Sequence, residues 1–132
     1  MSVSTDGGGS WGPVRFVNQD GAVRTSNHFT PAVAAHDGTV LIAYRSRKEG
    51  SVRVEVRCIV SSDGGGTFGR ERRLGRLADT RLAATAGTDA FFGDYMGLAL
   101  SADAAHAVWC SSSRARPGAT HHQTTWNATI VR

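Results

Sequence analysis

The sequence is poor in the residues that would mark several classes of protein. Its 132 residues include two cysteines, three prolines and a single lysine. Cys58 and Cys110 are too few for a disulfide framework or a zinc site, and three prolines are too few for a proline-rich disordered tract. No apolar run approaches the roughly 18 residues of a membrane span, so no membrane partner is expected. The polar start of the chain predicts no signal peptide.

The positive charge of the chain comes almost entirely from arginine. Arginine supplies 14 of the 15 cationic residues, and the formal net charge is +4. Together with 16 glycines, this skew also fits a GC-rich genome, so it does not by itself predict binding to a polyanion. The run Arg70, Arg72, Arg73 and Arg76 has no interleaved aromatic platform, which favours a charged sheet edge over nucleic-acid binding. We therefore predict no nucleic-acid partner. The sequence also contains no motif that predicts a cofactor or a metal.

An eight-residue motif occurs twice. Residues 4–11 read Ser-Thr-Asp-Gly-Gly-Gly-Ser-Trp, and residues 61–68 read Ser-Ser-Asp-Gly-Gly-Gly-Thr-Phe. In such a turn a short carboxylate accepts backbone N–H groups, and glycine supplies the positive φ that a tight hairpin needs. We therefore expect two structural hairpins rather than an acidic catalytic pair. Their key residues are Ser4, Asp6, Gly8 and Trp11 in the first motif and Ser61, Asp63, Gly65 and Phe68 in the second.

Short strand patterns surround the two motifs. Valine alternates with charged residues over 52–57, which predicts a half-buried strand. Pro31 lacks an N–H, so its strand should lie at a sheet edge. Strands are predicted at about 13–17, 30–35, 39–45, 52–60, 70–74, 95–100, 105–110 and 124–131, and only 77–86 has even a weak helical pattern. This succession predicts an all-β chain, one segment over 1–132 with two four-stranded antiparallel β-propeller blades.

Both motifs match the Asp-box, or bacterial neuraminidase repeat. The sequence Gly-Asp-Tyr-Met-Gly-Leu-Ala at 93–99, followed by His-Ala-Val-Trp at 106–109, also resembles a stretch common in bacterial sialidase-like proteins. The resemblance covers nearly the whole chain and implies a six-bladed sialidase-like propeller, of which two blades are present here. Asp-boxes also occur in propellers with other functions, which leaves the activity open. The family is often secreted, and the compartment of this chain stays open.

The resemblance also implies a ligand site in the loops of one propeller face. Sialidases hold the substrate carboxylate with arginines and use a tyrosine nucleophile, an assisting glutamate and an aspartate acid/base. The family's Arg-Ile-Pro motif is absent from this sequence. The matching residue types are Arg45, Arg47 and Arg114 for the carboxylate, and Tyr95, Glu49 and Asp94 for the chemistry. The repeat positions of the aromatic residues favour packing between blades over stacking on a sugar, for Trp11, Phe68, Tyr44 and Trp109.

Two functions and two kinds of assembly follow as alternatives. In the first alternative, the chain is a sialidase-type glycoside hydrolase acting on anionic glycans, or a piece of one. In the second, it is a non-catalytic module that binds glycan or protein. Residues 129–132 followed by 1–6 resemble 57–63, so we expect the chain to begin and end between a third and a fourth strand. Two blades cannot close a ring. We therefore expect either the remainder of a longer chain or a head-to-tail trimer that closes six blades.

Overall fold

The protein consists of antiparallel β-sheets. The computed structural model describes residues 1–20, 25–113, 117–118 and 122–131. The strands are β1 (Ser26–His36), β2 (Thr39–Lys48), β3 (Arg53–Ser61), β4 (Arg72–Asp79), β5 (Ala84–Ala86), β6 (Asp89–Phe91), β7 (Met96–Leu100), β8 (Ala104–Ser112) and β9 (Gln123–Val131). The prediction of an all-β chain is confirmed. Among these described residues, no helix is long and apolar enough to cross a membrane.

The first sheet, called sheet one, is a four-stranded meander in the order β1-β2-β3-β4. Its first strand lies at an edge, as Pro31 predicted. The pairing of β3 with β4 shifts register between Val54 and Val56, so β4 bulges at this point. Gly75 lies in the bulge with a φ of +66°, a conformation that a residue with a side chain adopts only with strain.

The second sheet, called sheet two, differs from the prediction. Its order is β7-β8-β9, three strands in the described residues where four were expected. The connection before it contains a 3-10 turn at Thr80–Leu82 and an unpredicted hairpin of β5 and β6. Gly87, at a φ of +64°, supplies the tight turn of that hairpin.

The main core lies between the two sheets. Sheet two lies on one face of sheet one, with β1 near β7 and β4 near β9. Alternate residues of neighbouring strands point to the same face, which is why aliphatic residues and Trp109 meet across the gap. The buried members are Leu41, Ala43, Val56, Cys58 and Leu74 from sheet one, and Ala105, Ala107, Trp109 and Ile130 from sheet two.

The opposite face of sheet one is partly covered by residues 1–17, called the N-terminal hairpin. The predicted strand at 13–17 is not part of a sheet, but the hairpin is closed by backbone bonds from Gly12 N to Val3 O and from Arg15 N to Met1 O, both 2.9 Å. Met1 and Val17 pack beside a second core cluster of Ile42, Tyr44 and Ile59. Sheet one is thus covered on one side by sheet two and only partly on the other by this hairpin.

The Asp-box between β3 and β4 is a self-contained hydrogen-bonded turn. Ser61 Oγ donates to Asp63 Oδ1 at 2.7 Å and accepts from Gly65 N at 2.8 Å. Thr67 donates through N to Asp63 Oδ1 at 2.8 Å and through Oγ1 to Asp63 Oδ2 at 2.7 Å. These bonds, the Ser61 hydroxyl first, lower the pKa of Asp63 well below its usual range. The carboxylate therefore acts as the acceptor around which the turn is built.

The Asp-box in the N-terminal hairpin repeats these contacts. Ser4 Oγ donates to Asp6 Oδ1 at 2.7 Å and accepts from Gly8 N at 2.8 Å. Ser10 donates through N and Oγ to the two carboxylate oxygens of Asp6, at 2.9 and 2.6 Å. The pKa of Asp6 is also lowered, chiefly by the Ser10 hydroxyl. The sequence repeat is thus a repeat of local structure.

Candidate functional site

The strand pairings sort the connections into two ends of the sheets. At one end, called the loop end, β1 begins opposite the end of β2, with Ser26 paired to Lys48. Asp79 N donates to Ser112 Oγ at 2.9 Å, which joins the ends of β4 and β8 there. At the other end, called the turn end, Gly64 N of the second Asp-box donates to Gly38 O in the β1–β2 turn at 2.6 Å. The Asp-boxes and the predicted ligand residues therefore lie at opposite ends.

Four of the predicted site residues are exposed at the loop end. Arg47 lies near the end of β2 and Glu49 follows that strand, whereas Asp94 and Tyr95 directly precede β7. Tyr95 is 86% exposed. Among the described residues, no hydrogen bond or ion pair joins the side chains of these four. Arg114, the remaining predicted arginine of the exposed loops, lies outside the described residues.

Arg45 has a different setting, because its guanidinium is buried between the two sheets. It donates to the carbonyl oxygens of Cys110 at 2.9 Å, Phe92 at 3.2 Å and Gly93 at 3.4 Å. The guanidinium carbon also lies 5.6 Å from the centre of the Phe92 ring, within cation–π range. Burial lowers the pKa of Arg45, but a guanidinium stays charged in proteins. These contacts fix the segment that precedes Asp94, so we interpret Arg45 as a positioning residue rather than a ligand contact.

A polar pocket of about 250 Å³ opens between sheet one and the segment that follows the N-terminal hairpin. Its lining combines carboxylates, hydroxyls, an imidazole, an amide and a guanidinium. The lining residues are Gln19, Asp20, Ser26, His28, Ser46, Arg57 and Glu71. Such a mixture of donors and acceptors in one concave site is typical of a pocket that binds a polar ligand.

The buried side of the polar pocket is built around Glu71. Arg57 donates to Glu71 Oε2 at 2.7 Å and to Glu55 Oε1 at 2.7 Å, so two carboxylates neutralise one guanidinium. Gln19 N donates to Glu71 Oε1 at 3.0 Å, and the Tyr44 hydroxyl donates to the same oxygen. Burial, with Glu71 adding to it, raises the pKa of Tyr44 far above its usual value. Tyr44 therefore stays neutral and serves as a hydrogen-bond donor.

The open side of the polar pocket carries a histidine–aspartate pair. His28 Nε2 lies 2.9 Å from Asp20 Oδ1 and 3.0 Å from Oδ2, and the Asn18 amide donates to the same carboxylate. Burial of Asp20 opposes ionisation, but the bonds from Asn18 and His28 prevail and lower its pKa. The imidazole meets the Tyr44 ring edge-on, with 5.2 Å between centroids. Asp20 is thus an ionised acceptor at the pocket mouth.

The sequence pattern placed most of these residues elsewhere. It assigned Arg57 to the exposed face of an alternating strand, and the charged run that contains Glu71 to a sheet edge. Its assignment of Tyr44 to packing agrees with the burial of that side chain beside Ile42 and Ile59. Residues 17–20 run along that face, where Gln19 bonds to Glu71 and Asp20 lines the same pocket as Arg57. The signal that could have indicated a shared site is the placement of two acidic residues near one arginine: Glu55 lies two residues before Arg57 on β3, and Glu71 directly precedes β4.

In comparisons with known proteins, no family model, no curated protein and no solved structure matches this chain. The described residues also contain no group of three or more histidine, cysteine, aspartate or glutamate side chains placed to hold a metal ion. The site is therefore interpreted from its own residues: a neutralised arginine, an ionised aspartate and two serines around one small pocket, with a neutral tyrosine bonded to its glutamate.

Proposed function

We propose that the chain forms adjacent blades of a sialidase-like Asp-box β-propeller and acts as a glycan-binding module. The matching hydrogen bonds of the two Asp-boxes and the meander of sheet one support the architecture. The polar pocket at the loop end is the observation that carries the binding function. Carboxylates accept and arginines donate hydrogen bonds, the two complementary interactions that sugar hydroxyls need.

The charge of the polar pocket favours sugar hydroxyls over an anionic group. Arg57 is already paired with Glu55 and Glu71, and Asp20 adds a further negative charge. A substrate carboxylate entering this pocket would meet like charge, which opposes binding. We therefore assign the pocket to a neutral hydroxylated sugar ring rather than to an anionic group.

Hydrolysis by a sialidase mechanism is the second candidate, and one contact favours it. Tyr44 donates a hydrogen bond to Glu71, the pairing of residue types that a tyrosine nucleophile and its assisting glutamate would need. Two features favour binding alone. Tyr44 is only 4% exposed, and its raised pKa holds the hydroxyl in its weakly nucleophilic neutral form.

Calorimetric titration with neutral and sialylated oligosaccharides tests the proposed function. We expect Asp20→Asn to weaken binding about tenfold, which corresponds to ~1.4 kcal/mol. Asp37→Asn is the matched control, because this exposed aspartate lies at the turn end, with a φ of +45° that asparagine tolerates. Equal losses in both variants, or no binding of either sugar class at millimolar concentration, would contradict the assignment. Release of product from a fluorogenic sialoside that Tyr44→Phe abolishes would establish the hydrolase instead.

A further inference from the structure

One face of sheet one carries an apolar groove that the chain leaves open. The groove lies between the N-terminal hairpin and strands β1 and β2, with a volume of about 750 Å³. Val33 and Trp11 line it, and each is 66% exposed. Pro31, Ala35, Val40 and Ile42 continue the surface. Large apolar surfaces of this kind are normally covered by a partner.

Sheet two has an exposed strand edge. In the described residues β9 bonds only to β8, so its outer edge presents unpaired backbone groups. In sheet one the third strand continues through an Asp-box into the fourth, and Gly69 N donates to Val60 O at 2.9 Å across that hairpin. The N-terminal hairpin has the equivalent bond, from Gly12 N to Val3 O at 2.9 Å. It therefore has the same form as the Asp-box hairpin that joins β3 to β4 in sheet one.

We infer that the groove is an assembly surface and that its occupant is sheet two of a second copy of this chain. The outer face of sheet two would cover Val33 and its neighbours. The free edge of β9 would lie beside the N-terminal hairpin of the receiving copy, which supplies the missing fourth strand. One contact thus covers an apolar face and pairs an open strand edge.

The packing within one chain supplies the template for this contact. Inside the chain, β1 approaches β7, and Ala34 is a half-buried residue of β1 that does not line the groove. Leu98 and Leu100 of β7 pack on the core from the other side, so small residues face large ones. On the outer faces of β7 and β1 the sizes of the side chains are exchanged. Gly97 and Ala99 are exposed on β7, whereas Pro31, Val33 and Ala35 are exposed on β1. A copy can therefore stack on the next with the same close fit.

The two surfaces are different, so the contact is head-to-tail and can continue from copy to copy until a ring closes. Propellers use about four to eight blades, and three copies give six, the number that the resemblance to sialidase-like propellers implies. The inference rests on the proposed propeller architecture. It also places the loop ends, and hence the polar pockets, of all copies on one face of the ring.

Sedimentation analysis across micromolar concentrations tests the assembly. We expect a mass of three chains of 14.0 kDa for the unchanged protein. Val33→Asp should give a monomer by charging the groove, and Ala99→Trp should give a monomer by blocking the outer face of β7. Val52→Asp, at a partly exposed valine of the β2–β3 turn, is the control and should assemble normally. Both blocked positions are exposed in a single chain, so circular dichroism should show unchanged strand content.

Mixing the two blocked variants is the decisive measurement. Val33→Asp retains an intact sheet two and Ala99→Trp retains an intact groove, so the mixture should form a dimer and stop there. A folded monomer of the unchanged chain at every concentration, or a mixture that stays monomeric, overturns the inference. Glycan binding is measured separately, so a monomer that still binds sugar refutes the assembly and leaves the proposed binding function intact.

Discussion

Replacing Gly75 with alanine tests the packing of sheet two on sheet one. A Cβ at this position would lie 2.9 Å from Cζ2 of Trp109 and 3.7 Å from Cε3 of Trp126. Trp109 is 3% exposed and has little room to move. Overpacking of this kind costs about 1–3 kcal/mol, and the left-handed backbone at φ +66° adds about 1–2 kcal/mol for a residue with a Cβ. We expect Gly75→Ala to lower the free energy of unfolding by about 2–5 kcal/mol.

Gly50→Ala separates the backbone strain from the contact. Gly50 has a φ of +72°, and a Cβ there meets nothing within 4 Å. Urea unfolding followed by tryptophan fluorescence should therefore show a loss of only about 1–2 kcal/mol for this control. The difference between the two variants reports the clash with Trp109. Equal losses, with unchanged m-values, would show that β4 does not approach sheet two as described.

The remaining predictions concern two aspartates. Asp63→Ala removes the acceptor of the Asp-box between β3 and β4 and should lower the urea midpoint of unfolding. The control Asp103→Ala, in an exposed turn, should leave the midpoint unchanged. Loss of ligand binding with an unchanged midpoint would assign Asp63 to a binding role. The hydrogen bond from Arg81 lowers the pKa of Asp79 to about 2 from its usual 3.8. Its stabilising contribution is therefore complete above about pH 4 and lost as the pH falls toward 2. Asp79→Asn should unfold less steeply over that interval in acid titrations, and identical acid profiles would contradict this.

Local sequence patterns predicted most strands because each pattern depends only on the residues of one strand or turn. Alternating valines marked β3, and the serine, aspartate and glycine spacing marked hairpins whose bonds span only a few residues. The β5–β6 hairpin was missed because its strands have three residues each. Such short strands show no clear alternation, and only Gly87 signals the turn.

The candidate site was less predictable because long-range contacts create it. Arg45 was assigned to a ligand because it lies near a loop, yet three carbonyl groups distant in sequence surround it. Glu71 was assigned to a solvated edge because nothing in its own strand indicates that residues 17–20 cover it. Periodicity shows which face of a strand is polar, but the tertiary fold decides whether water or another segment covers that face.

The Asp-box between β3 and β4 has a consequence for the order of folding. The bonds of its own Ser61, Asp63 and Thr67 side chains all join residues between Ser61 and Thr67, so these bonds do not require the rest of the sheet. Closing so short a loop costs little chain entropy compared with bringing β1 to β7. The turn can therefore form while the chain is still largely unfolded and start the pairing of β3 with β4. Gly64 N then meets Gly38 O at 2.6 Å, which brings the β1–β2 hairpin into register beside a hairpin already formed.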